Sequence, residues 1–111
     1  MKNESMQIEI IIDKIIQMLL SYGFKPVVIN GATNYVYKET YCIPNYVASI
    51  GFFLEYAPSF EEANKNWHCD GESFPLEMGE AAILEGIRNE LTREIGSTEI
   101  LDPPSVKAHA I

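Results

Sequence analysis

The sequence predicts an α+β fold, with an antiparallel sheet of three or four strands packed against an N-terminal and a C-terminal helix, and a short helix in between. Three observations predict it. Apolar residues recur at three-and-four spacing near both ends of the chain, which puts one stripe on each of two helices. The middle carries runs rich in β-branched and aromatic residues, broken by Asn30-Gly31 and Pro44-Asn45. With 111 residues, 47% hydrophobic and 22% charged, the chain has the size and composition of one cored domain. The reading is a two-layer domain over 1–96 followed by a loosely held tail over 97–111.

The first helix is expected over 5–22, where Ile8, Ile11, Ile12, Ile15, Met18 and Leu19 form the stripe. Gly23 closes it in a left-handed conformation, and Pro26 bars its continuation. Branched isoleucines are mediocre helix formers, so this helix depends on burial against a sheet. Strands are expected over 26–30, 35–42 and 46–56. In the third, Tyr46, Ala48, Ile50, Phe52, Leu54 and Tyr56 share the core face, and Gly51 marks a bulge or a close backbone approach. Ser59 followed by Glu62 is a capping box that opens a short helix to about residue 66. Asp70-Gly71 reads as a turn, and Pro75 keeps 73–76 extended. The last helix spans 80–95 on Ile83, Leu84, Ile87, Leu91 and Ile95, with Gly96 as its stop.

Charge is the most informative feature of the composition. Sixteen acids against eight bases give a net charge of -8, which makes nucleic acid and anionic membrane poor direct partners and a basic protein a good one. Residues 1–54 hold four acids and four bases, whereas 55–99 hold eleven acids and three bases, so one region carries the whole excess. A lone surface carboxylate does little beyond keeping a domain soluble. Grouped on a connector with Phe60, Trp67 and Phe74, the acids combine charge complementarity with aromatic contact area. The expectation is one continuous negative patch over 55–80.

The chemical motifs are sparse. Trp67-His68-Cys69-Asp70 juxtaposes imidazole, thiol and carboxylate, but neighbours on an extended segment point to opposite faces. Metal ligands need converging spacing, and Cys42 and His109 are the only other ligands of the Cys and His type, so no metal and no cofactor is expected. Phosphate loops, nucleophile elbows and calcium loops are missing from the sequence, and no catalytic residue is assigned. Tyr35, Tyr37 and Tyr41 alternate as a base-stacking row would, yet only Lys25 and Lys38 flank them, and cross-strand packing explains them better. Two cysteines without a paired spacing are read as free thiols in a reducing cytoplasm, and no stretch has the length of a membrane span.

From residue 51 to 91 the chain orders a strand Gly51-Phe52-Phe53-Leu54-Glu55-Tyr56, then Glu61-Glu62-Ala63, Asp70-Gly71, Phe74-Pro75-Leu76, Gly79-Glu80 and a helix through Leu84, Ile87 and Leu91. This order resembles the small acidic immunity proteins of bacterial toxin systems, especially those of contact-dependent growth inhibition. The resemblance implies a non-enzymatic protein, monomeric when free, that binds and neutralises a cognate basic toxin domain, often a nuclease. The residues expected at such an interface are Tyr56, Glu61, Trp67, His68, Asp70, Glu72, Phe74, Glu77 and Glu80. The alternative is a small adaptor or regulatory domain that binds a protein, or itself, through a sheet edge or the tyrosine row.

Overall fold

Two striped helices need an apolar surface to cover, and a meander of strands supplies it. The computed structural model describes residues 2–95, in the order α1 (Lys2–Ser21), β1 (Lys25–Ile29), β2 (Ala32–Tyr37), β3 (Thr40–Val47), β4 (Gly51–Ala57), α2 (Phe60–Asn64), β5 (Cys69–Asp70), a 3-10 turn (Leu76–Met78) and α3 (Glu80–Ile95). The five strands form one sheet in sequence order, every neighbour antiparallel. The α+β class and the flanking helices are as expected. Among the described residues no helix is long and apolar enough to cross a membrane. The expected stop at Gly96 and the tail over 97–111 lie outside the described residues.

The sheet has five strands where three or four were expected: reversals inside two of the anticipated strands divide residues 25–57 into four, and Cys69–Asp70 adds the fifth. Within 35–42 the chain turns at Lys38-Glu39, where Lys38 takes φ 56, and Tyr37 pairs with Thr40. Within 46–56 it turns over residues 48–50, so that Val47 pairs with Gly51 and the Ile50 N–H donates to the Val47 carbonyl. Ala48 and Ile50 therefore sit exposed in a turn and not on the core face. Pro44 and Asn45 belong to β3 and make no turn. The β2–β3 ladder stops at Cys42, so Pro44 lies where that edge of β3 asks for no amide donor. Asn30 and Gly31, both at positive φ, close the β1–β2 hairpin in two residues, the primed turn that Asn-Gly favours.

Alternation then assigns two faces. On one, Cys42, Phe52 and Leu54 are buried under Ile11, Ile15 and Leu19 of α1 and Ile83, Ile87 and Leu91 of α3. Tyr35, Tyr37, Tyr46 and Tyr56 pack against this cluster, whereas Tyr41 lies on the opposite face, so the three tyrosines expected in one row are split. On that outer face Ala63 of α2 buries Ile29 and Ala57. The short helix thus adds a third layer over part of the sheet, where two layers were expected.

Local chemistry sets both approaches to the site. At the end of α1, the Phe24 N–H donates to the Leu19 carbonyl and Gly23, at φ 102, donates to Leu20, the Schellman closure that glycine permits. At α2, the Ser59 hydroxyl accepts from the Glu62 N–H at 3.2 Å, the capping contact read from the sequence.

β4 is enclosed. Gly51, Phe52, Phe53 and Leu54 are all buried, and beyond β5 the chain returns to β4 at Phe74, which exchanges two backbone hydrogen bonds of 2.8 and 2.9 Å with Phe52. Gly51 takes φ 109, and a Cβ there would stand 2.3 Å from the Phe74 carbonyl oxygen, which is the close backbone approach anticipated for it. Gly51→Ala is expected to destabilise the fold by about 2–4 kcal/mol, combining positive φ with a backbone clash, read as a lower urea midpoint.

Candidate functional site

Of the nine residues expected at an interface, Tyr56 lies on β4 and Glu61 in α2, and the other seven follow one course of chain, the connector that leaves α2, forms β5 and follows β4 to the start of α3. Its direction is set at Asn66. That residue takes φ 61, the Asn66 N–H donates to the Ala63 carbonyl, and the Trp67 N–H donates to Glu62 across the end of α2. This is a second Schellman closure, with asparagine in the left-handed position. It sends Trp67 outward, 62% exposed, with the Lys65 ammonium 4.7 Å from its ring centroid. Phe60, at the other end of α2, is 55% exposed and meets Tyr41 edge-on with ring centroids 6.2 Å apart.

His68 turns the other way. Its Nε2 donates to the Oδ1 of Asn34 at 2.9 Å, and Asn34, 1% exposed on β2, gives its amide N–H to the Ala32 carbonyl. The imidazole therefore satisfies a buried amide and ties the connector to the outer face. Its neighbour Cys69 is exposed, in contrast to Cys42, which is fully buried and whose thiol is pushed up mainly by that burial.

Asp70 is in β5 and not in a turn. It lies directly opposite Glu55 of β4, so the two side chains share the outer face. Glu55 accepts from the Asn45 amide at 2.8 Å, and neither carboxylate takes a cation among the described residues. Two like charges in direct cross-strand register oppose folding, and a cation supplied from outside relieves them.

Behind this pair stands a clasp missed in the sequence. Glu90 of α3 is 1% exposed, accepts the Tyr56 hydroxyl at 2.6 Å and accepts the Glu72 N–H at 2.7 Å. Gly71 lets it in, because a Cβ there would stand 2.1 Å from the Glu90 carboxylate. Burial pushes the Glu90 carboxyl above the usual range, the two hydrogen bonds oppose the shift, and Glu94 and Glu72 add to it. Burial, and then the bond to Glu90, push the Tyr56 hydroxyl up as well, which keeps it a donor. The available signal was position, since Glu90 lies seven residues after Ile83 and three after Ile87, on the buried stripe itself. Tyr56 thus spends its polar end inside the molecule. Phe74 does the same with its ring, which is 7% exposed and seated against Gly86 of α3.

Part of the acidic excess is neutralised internally. Glu61 pairs with Lys65 at 3.8 Å, Glu72 with Arg93 at 2.9 Å, Glu85 with Arg88 at 2.8 Å, and Glu80 with Lys14. The anticipated continuous patch over 55–80 is therefore divided. Among the described residues Glu55 and Asp70 remain without a cation near one end of β4, and so does Glu62 of α2. Glu77 remains without one toward the other end, beside the start of α3. No group of three or more His, Cys, Asp or Glu side chains among the described residues is arranged to hold a metal ion.

No protein-family model, curated protein or solved structure matches the chain.

The clasp yields a signed pH dependence. Because the folded-state value of Glu90 is raised, the folded protein binds the proton more tightly. Its contribution is full below the ordinary glutamate value and is lost as pH rises through the raised one. Urea midpoints measured from pH 4 upward should decline over that interval in the native chain, and Glu90→Gln should remove this component. Glu90→Ala, which strands the Tyr56 hydroxyl and the Glu72 N–H, is expected to cost about 2–4 kcal/mol.

Proposed function

We propose that this protein is a non-catalytic binding domain that captures a basic protein through its β4–β5 edge and neutralises it, in the manner of an immunity protein acting on a toxin nuclease. The observation that carries the reading is the unpaired Glu55–Asp70 register on the outer face. Among the described residues neither carboxylate has a cation, so a partner's lysine or arginine gains the attraction of two adjacent acids.

The surroundings support the same use. Trp67 and Phe60 offer aromatic area on the segment that leads to the pair. The clasp at Glu90 and the bond from His68 to Asn34 hold the connector at both of its ends, so little ordering entropy is lost on docking. A nuclease binds phosphates with cationic side chains, and a carboxylate pair placed against them excludes substrate.

A second reading rests on β1, whose first four residues are exposed, with Val28 at 69%. β1 is the terminal strand of the sheet, and it offers an adaptor an edge for strand addition. Light scattering over a range of concentrations separates the two, since self-association through β1 gives a concentration-dependent mass and the first reading gives a monomer.

For the leading reading, the tagged protein is purified from its native host and the captured protein is tested for nuclease activity. A one-to-one basic partner whose activity is suppressed in the complex is expected. The double substitution Glu55→Gln with Asp70→Asn should slow association about tenfold at low salt and flatten its salt dependence. Absence of a basic partner, or association unaffected by the double substitution, overturns the proposal.

A further inference from the structure

At the end of the sheet where β3 turns into β4, the first turns of α1 and the 3-10 turn leave a cleft of about 620 Å³. Its walls are Glu4 and Gln7 of α1, Tyr46 and Ala48 from β3 and its turn, and Leu76 and Glu77 of the 3-10 turn. Three separate elements thus bring two carboxylates, an amide, a phenol ring and aliphatic surface to one concavity. Neither Glu4 nor Glu77 takes a cation among the described residues. The lysine on this side of α1, Lys14, is already held by Glu80. The ring is held in place too, with the Tyr46 centroid 4.6 Å from that of Phe52.

We propose that this cleft seats an arginine side chain of the basic protein partner. The aliphatic stem of an arginine fits against Leu76 and Ala48. Its planar guanidinium stacks on an aromatic face and offers five donors in a fixed fork, which suits carboxylates approaching from two walls. A lysine has neither the plane nor the fork. Glu4 stands in the first turn of α1, where the macrodipole favours a negative charge. The proposal rests on the reading of the protein as a binder of a basic partner, and it adds a second contact toward the opposite end of β4 from Asp70.

The test uses the isotope-labelled full chain and a blocked Gly-Arg-Gly peptide at low salt, followed by amide chemical shifts. Saturable shifts are expected at Gln7, Ala48, Leu76 and Gly79, with roughly millimolar affinity. The same peptide with citrulline, which keeps the shape and removes the charge, should bind about tenfold more weakly, and so should the arginine peptide to a Glu4→Gln, Glu77→Gln double variant. Shifts spread over the whole acidic surface, or equal binding of the citrulline peptide, overturn the cleft as an arginine seat. With the native partner in hand, the same double variant should weaken the complex about tenfold. An unchanged dissociation constant in a complex that forms normally removes the cleft while leaving the proposed function intact. Failure to capture any basic partner removes the function, and the peptide result then stands by itself.

Discussion

β4 is the constraint on which the rest of the structure depends. Its first four residues are buried, on alternating faces, and both of its edges are hydrogen-bonded, to β3 along its whole length and to β5 and Phe74 on the other side. A strand covered in this way must have partners on four sides. α1 and α3 cover the Phe52 and Leu54 side, Ala63 of α2 covers Ala57, and the connector after α2 has to come back to close the open edge. At Phe74 that closure rests on Gly51 and Gly86. One lets the Phe74 backbone approach β4, and the other lets the Phe74 ring approach α3.

The return of the connector is also what places charge. Once residues 69–74 are held against β4, Asp70 has no choice of neighbour and faces Glu55 across the strands. A fold selected for stability alone has little reason to put two carboxylates in direct register, and opposite charges at that pair would contribute where these oppose. The molecule keeps the pair while balancing Glu61, Glu72, Glu80 and Glu85 with cations of its own. The Glu55–Asp70 register is left as a place where an external cation relieves repulsion.

How far the sequence could be read follows from which forces are local. The helix stripes of α1 and α3 were legible, with α3 placed at residues 80–95, because a 3.6-residue period is written into neighbouring residues, as is the glycine that closes α1. The Ser59 cap was legible for the same reason. The hairpin at Lys38-Glu39 was not, since a lysine at φ 56 carries no composition signal and the turn is imposed by the pairing of Tyr37 with Thr40. Pro44 pointed to a turn by its type and was overruled by an edge that needs no donor. In the site, the exposure of Trp67 followed from ordinary surface logic. The inward use of Tyr56 and Phe74 did not, because their partners Glu90 and Gly86 are distant in sequence. The cleft at Glu4 and Glu77 was equally invisible, as it joins residues from opposite ends of the chain.

The two cysteines differ in a way that has a practical consequence. Cys42 lies within the main core with its thiol held protonated by burial, whereas Cys69 stands exposed on β5, next to Asp70. A maleimide or spin-label reagent applied to the folded chain reaches one sulfur and leaves the other untouched. The native sequence therefore carries its own single attachment point for a fluorophore, beside the carboxylate register and on the same edge strand. Docking at that edge becomes observable without introducing or deleting a residue.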